Sequence, residues 1–400
     1  MRLFERIKSL GLLPRVIAGI ILGIVGGLCM PLSVVRVMST FNAVFGNFLG
    51  FLIPLIIFGL VTPAIASIGK DAGRLLLITA GIAYCSSVAS GLFSWLTSAT
   101  VFPHLIDAES AGQVIDGAVK VEPYFTIAIP PLADVMSVLI LSFTLGLGMA
   151  AFNSQSLKRG LDELRDIIAK TISVALVPLL PLYIMGIFME MAYTGQAWHV
   201  INVFIAIIGV IFVMHVVLLL AQYCIAGVVV HRNPLKALAT MLPAYATALG
   251  TSSSAATIPV TLQCARRNGV SAEVADFVIP LCATIHLSGS AMKITACAVA
   301  LMLMQGMPID AWTMVGFVMM LAVMMVAAPG VPGGAIMAAL GVLASILGFD
   351  ADRQALMIAL YIAMDSFGTA CNVTGDGAIA LVVNLISNKN QILSDNESRR

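Results

Sequence analysis

Tyr361–Asp376 reads YIAMDSFGTACNVTGD. The stretch lies in an apolar run between Arg353 and Lys389 whose only acids are Asp365 and Asp376, with Asn372 between them. Asp365, Thr369, Asn372 and Asp376 follow one another at offsets of four, seven and eleven, so a helix carries all of them on one face. Ionisable groups at membrane depth are costly and turn toward a partner or a polar cavity. A helix lining such a cavity can use two carboxylates to hold cations and an ammonium group. The alternative is that the acids make structural hydrogen bonds between helices.

The composition carries the same message outward. The chain has 400 residues, of which 60% are hydrophobic and 10% charged, with mean hydropathy +1.02. Soluble domains run near ~25% charged, so the expected class is an all-α polytopic membrane protein. A span takes ~20 apolar residues, which leaves room for eight spans and shorter segments. The net charge of +1 gives no attraction for nucleic acid. The seven cysteines are scattered, with no C-x-x-C pair, which argues against a zinc or redox centre. No cleavable signal is expected, because the first apolar run after MRLFERIK is long enough to anchor.

Taken in order, spans are expected at Leu12–Met30, Phe41–Ile68, Leu75–Val101, Leu132–Phe152, Ile167–Tyr193 and Val200–Val230. Arg2, Arg6 and Lys8 precede the first and Arg15 lies at its start, Lys70 and Arg74 follow the second, and Lys158 and Arg159 follow the fourth. Basic residues therefore alternate sides, with both termini cytoplasmic. Short termini and the absence of large loops point to a prokaryotic inner membrane. After Lys236 the pattern changes. Ala237–Ala265 is apolar at both ends and broken by GTSSSAATIP; Trp312–Leu347 is broken in the same way by AAPGVPGGAIM. Neither arm crosses alone, and irregular backbone cannot face lipid, so each is expected to be a re-entrant hairpin. Val274–Met304 is a span interrupted at CATIHLSGS. Tandem units with matching breaks are the sign of inverted repeats around a midplane site.

SSSAATIPVT, ATIHLSGSA, PGVPGGAIM and NVTGD resemble the dicarboxylate/amino acid:cation symporters, the glutamate and neutral amino acid transporter family, most strongly over Leu238–Leu385. The resemblance implies an elevator-type transporter of eight transmembrane helices and two hairpins, assembled as a homotrimer in lipid. Residues 1–72 and 103–199 would form the scaffold and outer loop. Residues 73–102 (span three) and 200–400 would form the transport domain. No enzyme activity and no cofactor are implied, sodium being cargo. The substrate is an amino acid.

Under this resemblance Asp365 binds the substrate's α-ammonium. Asn372 and Ser254 hold its α-carboxylate, carbonyls near Ser252 and Val331 complete the cage, and Ser253, Ser290, Gly368 and Thr369 line it. Asp376 takes one sodium with carbonyls near Cys282 and His286 and with Asn372. A second sodium lies between the carbonyls of Met325, Val326 and Ala328 and Thr284. Gly330, Gly333 and Gly334 permit the tight turn of the second hairpin.

Two departures follow. Acid-transporting members carry an arginine where this chain has Gly368, and a second carboxylate would then bury an unpaired charge; a neutral amino acid is expected, with Lys293 the candidate for rescuing an acidic one. The family's Asn-Met-Asp-Gly-Thr reads His286-Leu287-Ser288-Gly289-Ser290 here. That weakens a third ion site to which Ser86 and Ser87 would contribute. His286 and Lys293, seven apart and expected on one face, present a choice. Either a built-in charge or a proton on His286 replaces one sodium, or His286 is a neutral core residue and Lys293 snorkels or pairs with an acid. The rival functions are an acidic amino acid or C4-dicarboxylate symporter, a proton-coupled variant, a channel and a membrane enzyme. The chain has no H-E-x-x-H or G-x-x-x-x-G-K-[ST] motif for hydrolysis or ATP use.

Overall fold

The computed structural model describes residues 12–67, 74–106, 121–152, 154–195, 197–328 and 332–398. The described residues hold no strand, as expected where the backbone must satisfy its own hydrogen bonds. The N-terminal part contains α1 (Leu12–Cys29), α2 (Leu32–Ser67), α3 (Arg74–Val101), α4 (Val135–Phe152), α5 (Gln155–Thr171), α6 (Val177–Tyr193) and α7 (Ala197–Val230). Two elements are longer than the apolar runs alone imply. Helix α2 begins at Leu32 rather than near Phe41 and runs through Pro54 and Pro63. Helices α5 and α6 are joined by a π turn at Ile172–Leu176, just before Pro178 and Pro181. The charged residues of α5 kept it out of the expected span, but they form the polar face of an amphipathic segment.

The C-terminal part is assembled from short helices. Helices α8 (Pro234–Thr240), α9 (Leu242–Thr251) and α10 (Ser254–Arg267) form the first hairpin. Helices α11 (Ala272–Ile285) and α12 (Ser288–Met304) form one interrupted span. The second hairpin is α13 (Ala311–Ala327) and α14 (Gly334–Leu347), followed by α15 (Ala351–Ala363) and α16 (Asp365–Ser398), of which Asp365–Ser387 is long and apolar enough to cross a membrane. Side-chain caps mark many of the starts: Asn233, Ser253, Ser271, Asp310 and Asp350 each accept from a backbone N–H near the start of the next helix. The break at Met364 was not expected from the sequence, although Asp365 directly after it is a helix-start residue.

Seven described helical segments are long and apolar enough to cross a membrane, and Ser137–Phe152 is a shorter apolar helix. The Ala272–Met304 segment lies at the centre, with 94% of its apolar window buried by other helices, against 33% for Leu12–Cys29. On the outer helix α1, Ile21, Leu22, Val25 and Leu28 are exposed, which suits a lipid-facing surface. Helix α3 packs on α12, and α16 packs on α7, α9 and α11. Helix α2 packs on α4, and α1 on α6. A cavity of about 430 Å³ lies among α2, α6, α12 and α15, lined partly by Asn42, Glu190, Gln305 and Arg353.

The α1–α6 contact depends on glycine. Main-chain oxygens of Pro181, Met185 and Met189 lie where Cβ atoms of Gly19, Gly23 and Gly27 would stand. Small residues that let helix backbones approach closely are the usual means of packing in lipid. Gly27→Val is therefore expected to cost about 1–3 kcal/mol through overpacking. Gly209→Ala, whose Cβ would meet nothing within 4 Å, should be neutral. Thermal unfolding of the detergent-solubilised variants checks both.

Candidate substrate and ion site

Asp365 and Asp376 of α16 each meet a basic group inside the protein. Asp365 begins the helix, directly after the break at Met364. Its Oδ2 accepts from the Gly333 N–H at 2.9 Å, and its Oδ1 lies 3.6 Å from Lys293 Nζ. Lys293 is fully buried. Its ammonium donates to the carbonyls of Tyr361 and Met364, both at 3.3 Å, and sits 3.4 Å from the centre of the Tyr361 ring. Carbonyls at a helix end and the face of an aromatic ring both favour a cation. Gly368 makes the room: a Cβ there would stand 2.8 Å from Nζ.

Eleven residues along the same face, Asp376 Oδ1 lies 2.8 Å from His286 Nδ1, with both side chains buried. His286 Nε2 is 3.0 Å from Ser86 Oγ. Gln222 of α7 donates to Ser86 Oγ and Ser288 Oγ, both at 3.1 Å. Asp376 Oδ2 and Gln222 Oε1 make no hydrogen bond among the described residues. A hard oxygen left unpaired beside this network is chemically suited to a cation.

Asn372 lies between the two acids on α16. Its Oδ1 accepts from the N–H groups of Gly289 and Ser290, at 2.8 and 3.3 Å. Its Nδ2 donates to Ser290 Oγ at 3.1 Å, which lies 3.0 Å from the Tyr361 hydroxyl. These amides belong to the first turn of α12, where N–H groups have no partner within the helix. Asn372 caps α12 from another helix. Both hairpin tips reach the start of α16: Ser252 Oγ lies 2.6 Å from Ser366 Oγ, and Gly333 holds Asp365. Ser252 and Gly333 both adopt the left-handed conformation, with φ of 49° and 74°, which a tight turn between two arms requires. At the first tip, Ser253 caps α10 and Ser254 is buried at its first turn.

The family profile of the sodium:dicarboxylate symporters matches residues 12–386. The chain belongs to this family. It is 27% identical to the serine/threonine transporter SstT of Acinetobacter baylyi over 403 residues, covering 96% of this chain and 100% of that protein. SstT of Acinetobacter baumannii strain SDF is 27% identical over 405 residues, covering 97% of this chain and all of that protein. Excitatory amino acid transporter 2 of Homo sapiens is 31% identical over 173 residues, 43% of this chain and 30% of that one. The chain is thus a multi-pass membrane transporter of the symporter family and not an enzyme.

Within that family frame, the expected residues separate into groups. Asp365, Ser252, Ser290, Asn372 and Asp376 each make the contacts described above, Asp376 in a network separate from that of Asn372 and Ser290. Ser254, Thr369 and Ser87 are buried. Ser87 Oγ makes no hydrogen bond among the described residues, so Ser86 alone of the pair reaches His286. The Cys282 carbonyl accepts from the His286 N–H at 2.9 Å, and the Met325 carbonyl from the Ala328 N–H at 3.4 Å. Val326 packs against the cluster that holds Cys282 and Ile285, so the end of α13 lies against the end of α11. Thr284, on α11, is exposed and donates to Leu281 O at 2.8 Å. Gly330 and Val331 lie outside the described residues.

The expectation that His286 and Lys293 share a face is corrected. His286 and Leu287 leave the helical conformation between α11 and α12, so their spacing of seven is not two turns of one helix. The two side chains serve different acids. Gln222 and Tyr361 were missed as site residues; a lone glutamine within the apolar run of α7 was the available signal for the first. Removing His286 leaves Asp376 buried without its partner, which costs roughly 3–5 kcal/mol. His286→Ala is expected to lower the unfolding temperature sharply, and His286→Ala/Asp376→Asn to recover part of the loss. A double-mutant cycle on purified protein measures the coupling.

Proposed function

We propose that this chain is a secondary active symporter that takes up a neutral amino acid with sodium. The observation that carries the neutral reading is Lys293, the only buried Lys or Arg among the described residues. Its ammonium is caged by the Tyr361 and Met364 carbonyls and the face of the Tyr361 ring, contacts that do not depend on Asp365, which leaves a side-chain carboxylate beside Gly368 with no cation of its own. The names of the two SstT relatives, serine/threonine transporters, agree with a small neutral substrate.

In this reading the substrate's ammonium binds Asp365, at the meeting of both hairpin tips. Its carboxylate faces the N-terminal turn of α10 at Ser253 and Ser254, where the positive end of the helix dipole favours an anion. Asp376 Oδ2 and the carbonyls around Cys282 and His286 supply hard oxygen ligands for sodium. A second sodium lies between Thr284 and the carbonyls of Met325, Val326 and Ala328. Helices α1, α2, α4 and α5–α6 form the trimeric scaffold. Helix α3 and α7 onward form a transport domain that crosses as a body, with inverted repeats around its midplane site. Eight crossings then result, with α11–α12 and α15–α16 each counted once and both termini in the cytoplasm of a prokaryotic inner membrane. The cavity between α2–α6 and α12–α15 supports a sliding boundary, since that contact is not continuously packed.

Uptake by purified protein in liposomes tests the reading. Serine, alanine and threonine should enter with an inward sodium gradient, while aspartate and succinate should not. Asp365→Asn should weaken neutral uptake by roughly 10²-fold, the scale of losing one buried charge partner. Uptake of aspartate or succinate by the unmodified protein would overturn the neutral assignment.

A further inference from the structure

We propose that Lys293 is a tethered stand-in for the substrate's ammonium, neutralising Asp365 in the empty site and releasing it when amino acid binds. The inference rests on the reading of Asp365 as the ammonium site. Without substrate, that buried carboxylate needs a countercharge close by. The chain provides one: Lys293 Nζ lies 3.6 Å from Oδ1, while the other oxygen, Oδ2, is held by the tip amide of the second hairpin. Both groups beside Asp365 therefore come from the protein, one oxygen facing the Lys293 ammonium and the other the Gly333 amide.

The geometry of the ammonium allows the exchange. Its shorter contacts are to the Tyr361 and Met364 carbonyls at 3.3 Å and to the Tyr361 ring, and its contact with the carboxylate is longer. Lys293 can give up Asp365 and keep a desolvated cage of two carbonyls and a ring face. A zwitterion entering the site brings one ammonium and one carboxylate, so the net charge of the loaded site equals that of the empty one. The empty transport domain can then return across the apolar scaffold without taking a cation from solution to cover Asp365. Gly368 acquires a second role on the same grounds. It admits the lysine, because a Cβ at that position would stand 2.8 Å from Nζ and 3.2 Å from Cε.

The test separates net uptake, which requires return of the empty carrier, from exchange of internal for external amino acid, which does not. Both are measured in liposomes with the substrate that the unmodified protein carries, so a wrong assignment of that substrate appears in the unmodified protein and leaves this comparison intact. Lys293→Met is expected to raise the ratio of exchange to net uptake by about tenfold or more, and amino acid affinity should hold or tighten because a competitor is gone. Gly368→Ala, which displaces the ammonium without removing it, should move the ratio the same way by a smaller factor, and it covers the case in which Lys293→Met does not fold. Methylammonium added to Lys293→Ala should restore net uptake. An unchanged ratio in the folded variants, an equal loss of both modes, or weaker amino acid binding would overturn the proposal; weaker binding would make Lys293 a direct ligand of the substrate carboxylate.

Discussion

A carboxylate in the core of a membrane protein must find its positive charge or hydrogen-bond donors within a few ångströms, because neither water nor lipid supplies them. Asp365 and Asp376 impose this requirement at two points on one face of α16. The centre of the molecule is arranged around meeting it. Lys293 and the Gly333 amide serve the first acid, and His286, fixed by Ser86, serves the second. Asn372, between them, holds the first turn of α12.

The partners are available because the helices are broken. An unbroken helix spends its N–H and C=O groups on itself, and a break returns some of them for other use. The interruption between α11 and α12 exposes the amides that Asn372 binds. The interruption at Met364 places two carbonyls beside the Lys293 ammonium. The hairpin tips at Ser252 and Gly333 bring further polar groups to the same place. The breaks at His286–Leu287 and at Met364 lie inside the protein, where all three residues are buried, which is the condition for having irregular backbone at membrane depth.

The departures from the family motifs become coherent when taken in pairs. Glycine at position 368 leaves a space beside Asp365, and Lys293 fills it from the opposite helix. Histidine at position 286 comes with Ser288 two residues on, and its ring spans Asp376 and Ser86. In both cases a side chain of the protein stands next to an acid that the resemblance assigns to a cationic ligand.

The sequence by itself determined the long apolar helices to within a few turns, the breaks of the two hairpins and of the Ala272–Met304 segment, and the one-face alignment from Asp365 to Asp376. These are local properties: hydrophobic run length, clusters of Gly, Pro and Ser, and helical period are all read within a few turns of chain. Only the tertiary structure decided which base answers which acid. Ser86 and His286 are 200 residues apart in sequence, and Lys293 and Met364 are 71 apart, so no spacing rule relates them. The irregular backbone at His286 and Leu287 also turns Lys293 away from His286, a rotation that periodicity cannot report because it exists only where the period fails. Gln222 was hidden for a related reason: one amide in an apolar helix gains its meaning from Ser86 and Ser288 on two other helices, and those contacts form only when the three pack together.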